Sequence, residues 1–340
     1  SLKAALQAQS DLGKRASKLF TYASLKADED LRVSPNQERK QLAQHVFTTL
    51  GEATAWGNPE IVALGATRVN ALIAADRGLD KFAFGLRDVL RQAPHTLSPA
   101  EEQLLASAGT PLAGPQEIRN QLAASDMPRP TVKLSDGREI RLDDQGYTIA
   151  RAALDRSDRK KVFDQFWASY KAFENSLGAA LSTKVKGDLF TAKARKYDSA
   201  LAAALDGANL PEAVYRTLIA ETNRGLPVLH RYFELRRRML VLPDMGYWDI
   251  YPPLVKSDRK YTLAEMRTLT MEAIKPLGPE YGRFFAEASA KGWMDPFPRQ
   301  GKASGAYMSG AAYDVHPYLL LNLSEDYDGL STYIHEWGHA

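Results

Sequence analysis

The stretch His335-Glu336-Trp337-Gly338-His339 stands at the end of this 340-residue chain. On an α-helix, residues four positions apart lie on the same face, so both imidazole rings can reach a single metal ion. Neutral imidazoles are suitable zinc ligands, and they leave the ion able to take a carboxylate and a water molecule. Glu336 can accept a proton from that water, whose pKa zinc lowers toward about 7. The spacing therefore predicts a zinc site with His335 and His339 as ligands and Glu336 as the general base.

The sequence around the motif indicates a helix. A His-Glu-x-x-His string arises by chance in roughly one chain of this length per hundred, so its context matters. Leu330, Ile334 and Trp337 recur at spacings of four and three, which predicts a helix over 325–340 with one buried face. The other histidines are His45, His95, His230 and His316. None of them has a partner at ligand spacing, so we interpret them as ordinary helix-surface or loop residues.

Two short β-strands are predicted just before this helix, in residues 305–310 and 317–323. The edge of a sheet can bind an extended peptide through backbone hydrogen bonds, without reading its side chains. Gly305, Ala306 and Gly310 keep side-chain bulk low where another backbone would approach. The alternative interpretation, that the second segment is simply a buried strand, remains open at this point.

The rest of the chain has mostly helical patterns. Up to about residue 128, apolar residues recur mostly at spacings of three and four. Two alternating stretches around Asp136-Gly137 then predict a β-hairpin over 131–142. We place a domain boundary at this change, between an N-terminal helical lobe of residues 1–130 and a second domain of residues 131–340. Helical patterns return after residue 145 and are interrupted by a proline-containing loop at 247–254.

Composition excludes some classes of function. A net charge of +3 is too small to indicate a nucleic-acid or membrane partner, and the run Arg236–Arg238 is interpreted as a solvated helix face. The chain has no cysteine, which excludes disulfides and thiolate metal sites. No apolar run approaches the roughly 18 residues of a membrane span, and no export signal is visible. We therefore expect a cytoplasmic protein, with a periplasmic or secreted one as the alternative.

Four segments resemble the M3 family of zinc metallopeptidases, and within it the oligoendopeptidase F branch. They are 248–254 (WDIYPPL), 299–310 (RQGKASGAYMSG), 317–322 (PYLLLN) and 335–340 (HEWGHA). The order of hairpin and helix after Pro130 is also similar to that branch. The resemblance covers most of the chain, weakly in the first 130 residues and strongly after about residue 245. The Gly-Ala-Tyr segment combined with the histidine motif is more specific than the motif alone.

The resemblance implies a mainly α-helical, clamshell-like peptidase with a small β element beside its cleft. A deep channel would admit short unstructured oligopeptides and exclude folded proteins. By position, His335 and His339 would hold Zn²⁺, and Glu336 would activate a zinc-bound water. The strand with Gly305, Ala306 and Tyr307 would line the substrate cleft. Residues 131–340 would then be the first part of a catalytic zinc peptidase domain.

The sequence departs from the family pattern in one respect. The family's third ligand is a glutamate on a helix downstream of the motif, and an oxyanion-stabilising histidine and tyrosine lie further on. These positions fall after Ala340, the last residue of the sequence. The resemblance thus implies a C-terminally truncated domain that is inactive alone, because a two-ligand site binds zinc weakly. The remaining C-terminal portion of the enzyme, as a separate chain, is a candidate partner.

Two rival functions remain at this stage. A related helical scaffold could carry a zinc carboxypeptidase, which a peptide with a blocked C-terminus would distinguish from an endopeptidase. A helical binding module with an inert motif is the second rival, and it would purify without stoichiometric zinc.

Overall fold

A computed structural model describes residues 1–255 and 259–340. Most of these residues are helical, and the strands are few and short, so the predicted mainly α-helical fold is confirmed. Across these two ranges, no helix combines the length and the apolar character needed to cross a membrane.

The elements follow the chain in a simple order. The helices are α1 Leu2–Glu29, α2 Ser34–Thr54, α3 Gly57–Ala75, α4 Ala83–Arg91, α5 Pro99–Ser107, α6 Gly109–Gln121, α7 Asp144–Ala150, α8 Arg156–Ala172, α9 Glu174–Ala194, α10 Ala200–Asp206, α11 Glu212–Met239, α12 Leu263–Ala273, α13 Pro279–Ala290 and α14 Tyr327–His339. The strands are β1 Thr131–Lys133, β2 Glu139–Arg141, β3 Met294–Asp295, β4 Tyr307–Ser309 and β5 Tyr318–Leu320. Both strand segments predicted before the motif helix are therefore confirmed, as is the helix itself.

Contacts within the chain divide it into two compact units. The motif unit consists of Ser1–Leu50 and Ser257–Ala340, and the hairpin unit consists of Gly51–Lys256. This grouping by contacts differs from the domain boundary that the sequence suggests at residue 130, and that boundary stays a prediction.

The motif unit places its apolar core between a small sheet and three helices. In the sheet, β5 lies in the middle, parallel to β3 and antiparallel to β4. Met266 of α12, Phe285 of α13 and Trp337 of α14 are buried together against Leu319 and Leu321. The middle strand is thus part of the core, as the alternative reading of 317–323 expected, and β4 is left at an edge of the sheet.

The hairpin unit contains the predicted β-hairpin, with Val132 opposite Ile140. Its turn includes Gly137 at φ +88°, in the left-handed region that favours glycine. Helices α7 and α8 pack beside it, and Tyr147 stacks on Phe166 with ring centroids 4.0 Å apart. The aromatic residues of α8 therefore contribute to a core.

A buried carboxylate organises the segment around residue 249. Asp249 has no solvent-exposed surface, and its oxygens accept hydrogen bonds from Arg156 and Arg159, each at 2.9 Å, and from the Gly246 amide at 3.0 Å. Burial by itself would raise the pKa of Asp249, but these hydrogen bonds outweigh it and lower the pKa. The predicted loop at 247–254 consequently begins with a short 3-10 turn at Tyr247–Asp249.

One interpretation of a charged run was wrong. Arg236 was expected on a solvated face, but it is buried and donates a hydrogen bond to the Pro252 carbonyl oxygen at 2.7 Å. The charge pattern of α11 could not show this, because the acceptor lies beyond the end of the helix.

Candidate active site

Helix α14 carries the histidine motif and begins at a well-formed cap. The Asp326 side chain accepts a hydrogen bond from the Gly329 amide at 3.0 Å, which satisfies one of the free N–H groups of the first turn. Leu330, Tyr333 and Trp337 then bury one face of the helix in the core of the motif unit. The two histidines lie on the opposite, exposed side.

Gly329 permits the close entry of the chain into α14. A Cβ atom at this position would lie 1.8 Å from the backbone oxygen of Ser324, so the backbone would have to shift. We expect Gly329→Ala to lower the free energy of unfolding of the motif unit by about 1–3 kcal/mol. Hydrogen exchange of the α14 amides, measured at increasing urea concentrations, reports this change.

A matched control for this substitution is Gly282→Ala in α13. The nearest atom to its new Cβ would be the Met271 methyl carbon at 3.8 Å, an ordinary contact. Alanine also has the higher helix propensity, so this variant should be unchanged or stabilised by up to about 1 kcal/mol. Equal stability of Gly329→Ala and wild type would contradict the close approach at Ser324.

The two motif histidines lie beside each other on the exposed side of α14. Their Nε2 atoms lie 3.1 Å apart, and the ring planes are close to perpendicular. Two nitrogen ligands of a tetrahedral zinc ion, each about 2.0–2.1 Å from the metal, would be separated by roughly 3.3 Å. The separation of the pair is therefore close to that of two ligands of one zinc ion.

Glu336 lies between the histidines in sequence but is far more buried. Its residue surface is 8% exposed, whereas both histidines are exposed. Within residues 1–255 and 259–340, the structure resolves no hydrogen bond or ion pair for its carboxylate. The group is thus available as a proton acceptor, in surroundings where little solvent reaches it.

No further ligand joins this pair within the part of the chain that the structure describes. In those residues, no cluster of three or more His, Cys, Asp or Glu side chains could hold a metal ion. The described residues therefore supply two candidate ligands, His335 and His339.

Among the residues that the structure describes, no strand pairs with the outer backbone edge of β4, which lies near the motif helix. The amides of Leu319 and Leu321 bond to the carbonyls of Trp293 and Asp295, so these residues of the β5 region face β3. Backbone groups alternate sides along a strand, so Tyr318 and Leu320 face β4, opposite Ser309 and Tyr307. The N–H and C=O groups of Met308 consequently point to the unpaired edge.

The three predicted substrate-binding residues stand at the start of β4, in different settings. Gly305 has φ +84°, in the left-handed region that favours glycine. The backbone conformation therefore explains glycine at this position, in addition to its small size. Ala306 is half-buried against the core cluster. The Tyr307 hydroxyl donates a hydrogen bond to Asp28 Oδ2 of α1 at 2.9 Å and is already occupied. A role of these residues in substrate binding stays a prediction.

A cleft runs between strand β4 and helix α1. Its volume is about 370 Å³, and its walls include Phe20, Thr21 and Ser24 on the helix side and Met308 and Gly310 on the strand side. This size lies at the lower end of the range of ligand-binding clefts. Sequence reasoning missed the α1 wall, because nothing in the local pattern of α1 indicates which strand it will face.

Lys302 supports the chain that leads into β4. Its ammonium group is buried and donates hydrogen bonds to the carbonyl oxygens of Phe297, at 2.8 Å, and of Asp295 and Leu321. Burial lowers the pKa of Lys302, and the Asp295 carboxylate 3.1 Å away partly opposes this effect. A single side chain thus ties the 295–302 segment to the end of β5.

Comparison with known proteins shows the family to which this chain belongs. The family model described as "Peptidase family M3" matches residues 150–340, and the model "Oligopeptidase F" matches residues 60–128. The chain belongs to peptidase family M3. The resemblance seen in the sequence is therefore confirmed.

Individual known proteins match most of the chain. Oligopeptidase PepF of Bacillus subtilis is 34% identical over 99% of this chain and 50% of its own length. Group B oligopeptidase PepB of Streptococcus agalactiae is 33% identical over 97% of this chain and 55% of its own length. The crystal structure of oligoendopeptidase-F from Enterococcus faecium has a TM-score of 0.72 and 29% identity, covering 84% of this chain and 54% of that one. The chain spans about half the length of the curated relatives it matches.

Proposed function

We propose that this M3-family chain forms the zinc-holding part of an oligoendopeptidase that hydrolyses short unstructured peptides. The observation that carries the proposal is the pair of Nε2 atoms 3.1 Å apart, with the buried Glu336 beside them on α14. His335 and His339 would hold Zn²⁺, and a third ligand would come from outside the described residues.

The chemistry divides between the metal and the side chains of α14. Zinc, when bound, supplies Lewis acidity for the attack of water on a peptide carbonyl. Glu336 takes the proton from the attacking water and passes it to the leaving amine. Its low exposure favours this role, because little bulk water competes for the carboxylate. The exposed imidazoles, anchored through Trp337 and Tyr333 in the core, keep their positions during the reaction.

The substrate would bind as an extended strand along β4. The open N–H and C=O groups of Met308 can pair with a peptide backbone, and such pairing does not depend on the peptide's side chains. The cleft beside β4 would accommodate the residues that flank the paired one. This mode of binding supports a broad specificity for oligopeptides.

The test uses the full-length protein that contains these residues. We expect about one zinc per chain and cleavage of an internally quenched oligopeptide. His339→Ala should lower the zinc content and abolish cleavage, whereas His45→Ala, on the exposed face of α2, should change neither.

The rival functions give different results in the same assay. Cleavage of a C-terminally amidated peptide at an internal bond supports the endopeptidase. Cleavage of the peptide with a free C-terminus but not of the amidated one indicates a carboxypeptidase. A protein that neither retains zinc nor cuts either peptide would contradict the proposal and favour a binding module.

A further inference from the structure

The corner between α1 and α2 is bonded to the segment that leads into β4. The Leu31 amide donates to the Gly301 carbonyl at 2.7 Å, and the Ala303 amide donates to the Asp28 carbonyl at 2.8 Å. Arg32 adds a hydrogen bond to the Gln300 carbonyl at 3.1 Å. Residues 300–303 therefore follow the corner closely, although about 270 residues separate the two segments in sequence.

Gly301 shows how tight this fit is. Its φ of +86° lies in the left-handed region, and a Cβ atom there would lie 2.2 Å from Asp30 Oδ1 and 2.4 Å from Arg32 Nε. Asp30 and Arg32 are themselves paired at 2.7 Å. The corner thus packs directly on the backbone of this segment.

Asp28 extends the connection to strand β4 itself. One of its carboxylate oxygens accepts the hydrogen bond from the Tyr307 hydroxyl at 2.9 Å, and the other pairs with Lys40 of α2 at 3.2 Å. The side chain of Asp28 is only 19% exposed. Burial, together with the Asp28 carboxylate, raises the pKa of Tyr307, so its hydroxyl remains a donor at all physiological pH values.

The Tyr307 hydrogen bond adds to the pairing with β5 in holding the direction in which the open edge of β4 points. Side chains alternate along a strand, so Tyr307 faces α1 while Met308 faces the core cluster that contains Trp337. Rotation of β4 about its own axis would move the Tyr307 hydroxyl away from Asp28. It would also turn the free N–H and C=O groups of Met308 out of line with the cleft.

We propose that Asp28 is a positioning residue for peptide hydrolysis: through the Tyr307 hydroxyl it holds strand β4 so that its open edge receives the substrate backbone. The inference rests on the proposed function. The ligand is the backbone of an extended oligopeptide, and neither Asp28 nor Tyr307 touches the scissile bond.

The consequence for kinetics is specific. Loss of the Asp28–Tyr307 hydrogen bond weakens strand pairing with the substrate but leaves Glu336 and the histidines in place. We therefore expect an increase in KM of about tenfold, with kcat within about threefold of wild type. The increase should be larger for peptides long enough to pair with β4 than for the shortest substrates.

The experiment compares Asp28→Ala, Tyr307→Phe and the double variant in the full-length protein. Each single variant should raise KM, and the double variant should be no worse than the more affected single one, because both remove one hydrogen bond. Asp28→Asn, which retains an acceptor oxygen, should recover part of the loss. The matched control is Glu29→Ala, which removes the adjacent acid that pairs with Lys26 at 2.8 Å, and it should leave KM unchanged.

Further readouts separate a positioning role from a general loss of structure. Zinc content should stay constant in all variants. Hydrogen exchange at residues 306–310 should rise in Asp28→Ala, Tyr307→Phe and the double variant, but not in Glu29→Ala. If Asp28→Ala does not fold, Tyr307→Phe, which removes a single oxygen atom, carries the test alone.

The outcomes distinguish this inference from the proposed function. A wild-type protein that does not cleave the peptide overturns the proposed function, and the role of Asp28 in hydrolysis with it. Cleavage by wild type with unchanged KM in Asp28→Ala and Tyr307→Phe overturns the inference alone. Additive effects of the two substitutions, or an equal effect of Glu29→Ala, also overturn it.

Discussion

Replacing Glu336 with glutamine is expected to lower kcat for oligopeptide cleavage by about 10³-fold in the full-length protein, with zinc content unchanged. Glutamine has nearly the same shape as glutamate, so α14 and its two histidines should keep their positions. It cannot accept a proton, and the attacking water then lacks its base. The low exposure of Glu336 makes replacement by a solvent-borne base inefficient.

The matched control is Glu325→Gln, an exposed acid just before α14. It removes the same charge from the same region without changing the motif, so its kcat should stay within about twofold of wild type. Quenched-peptide hydrolysis at saturating substrate gives kcat, and metal analysis gives the zinc content. Retention of more than a tenth of wild-type kcat by Glu336→Gln would exclude this residue as the general base.

Replacing Asp249 with alanine is expected to destabilise the hairpin unit by about 3–5 kcal/mol. The substitution would leave Arg159, which is only 3% exposed, as a buried cation without its carboxylate partner. It would also remove the acceptor for the Gly246 amide. Removing one member of a buried ion pair costs more than the pair itself contributes, because the remaining charge stays desolvated.

Asp244→Ala provides the comparison, because Asp244 pairs with Arg156 at 2.6 Å but its side chain is 80% exposed. An exposed pair of this kind contributes at most about 1 kcal/mol. Hydrogen exchange at increasing urea concentration reports the free energy of unfolding of this unit separately. Equal stability of the two variants would contradict a dominant role of the buried carboxylate.

The pH dependence of the same measurement provides a second readout. The pKa of Asp249 is lower in the folded protein than the value of about 3.9 expected when unfolded. Its contribution is therefore fully present above about pH 4 and is lost as the pH falls through the folded pKa. The stability difference between wild type and Asp249→Ala should shrink over that acidic range.

The sequence alone was sufficient for the features that depend on local geometry. The spacing of His335 and His339 predicted a shared point on one helix face, and their Nε2 atoms do lie 3.1 Å apart. The sequence also predicted the hairpin around Gly137 and the short strands near residues 307 and 318. In each case the backbone hydrogen bonds of one element, or of one turn, set the distance between the residues concerned.

Only the tertiary structure decided which distant groups meet. Asp28 and Tyr307 are 279 positions apart, and Asp249 lies 93 and 90 positions from Arg156 and Arg159. The sequence pattern around each of these carboxylates does not indicate which distant residue it will contact. Such contacts depend on the path of the chain between them, which is set by the packing of whole helices and strands. The sequence therefore determined the candidate chemistry of α14, whereas the position of the strand beside it depended on the fold.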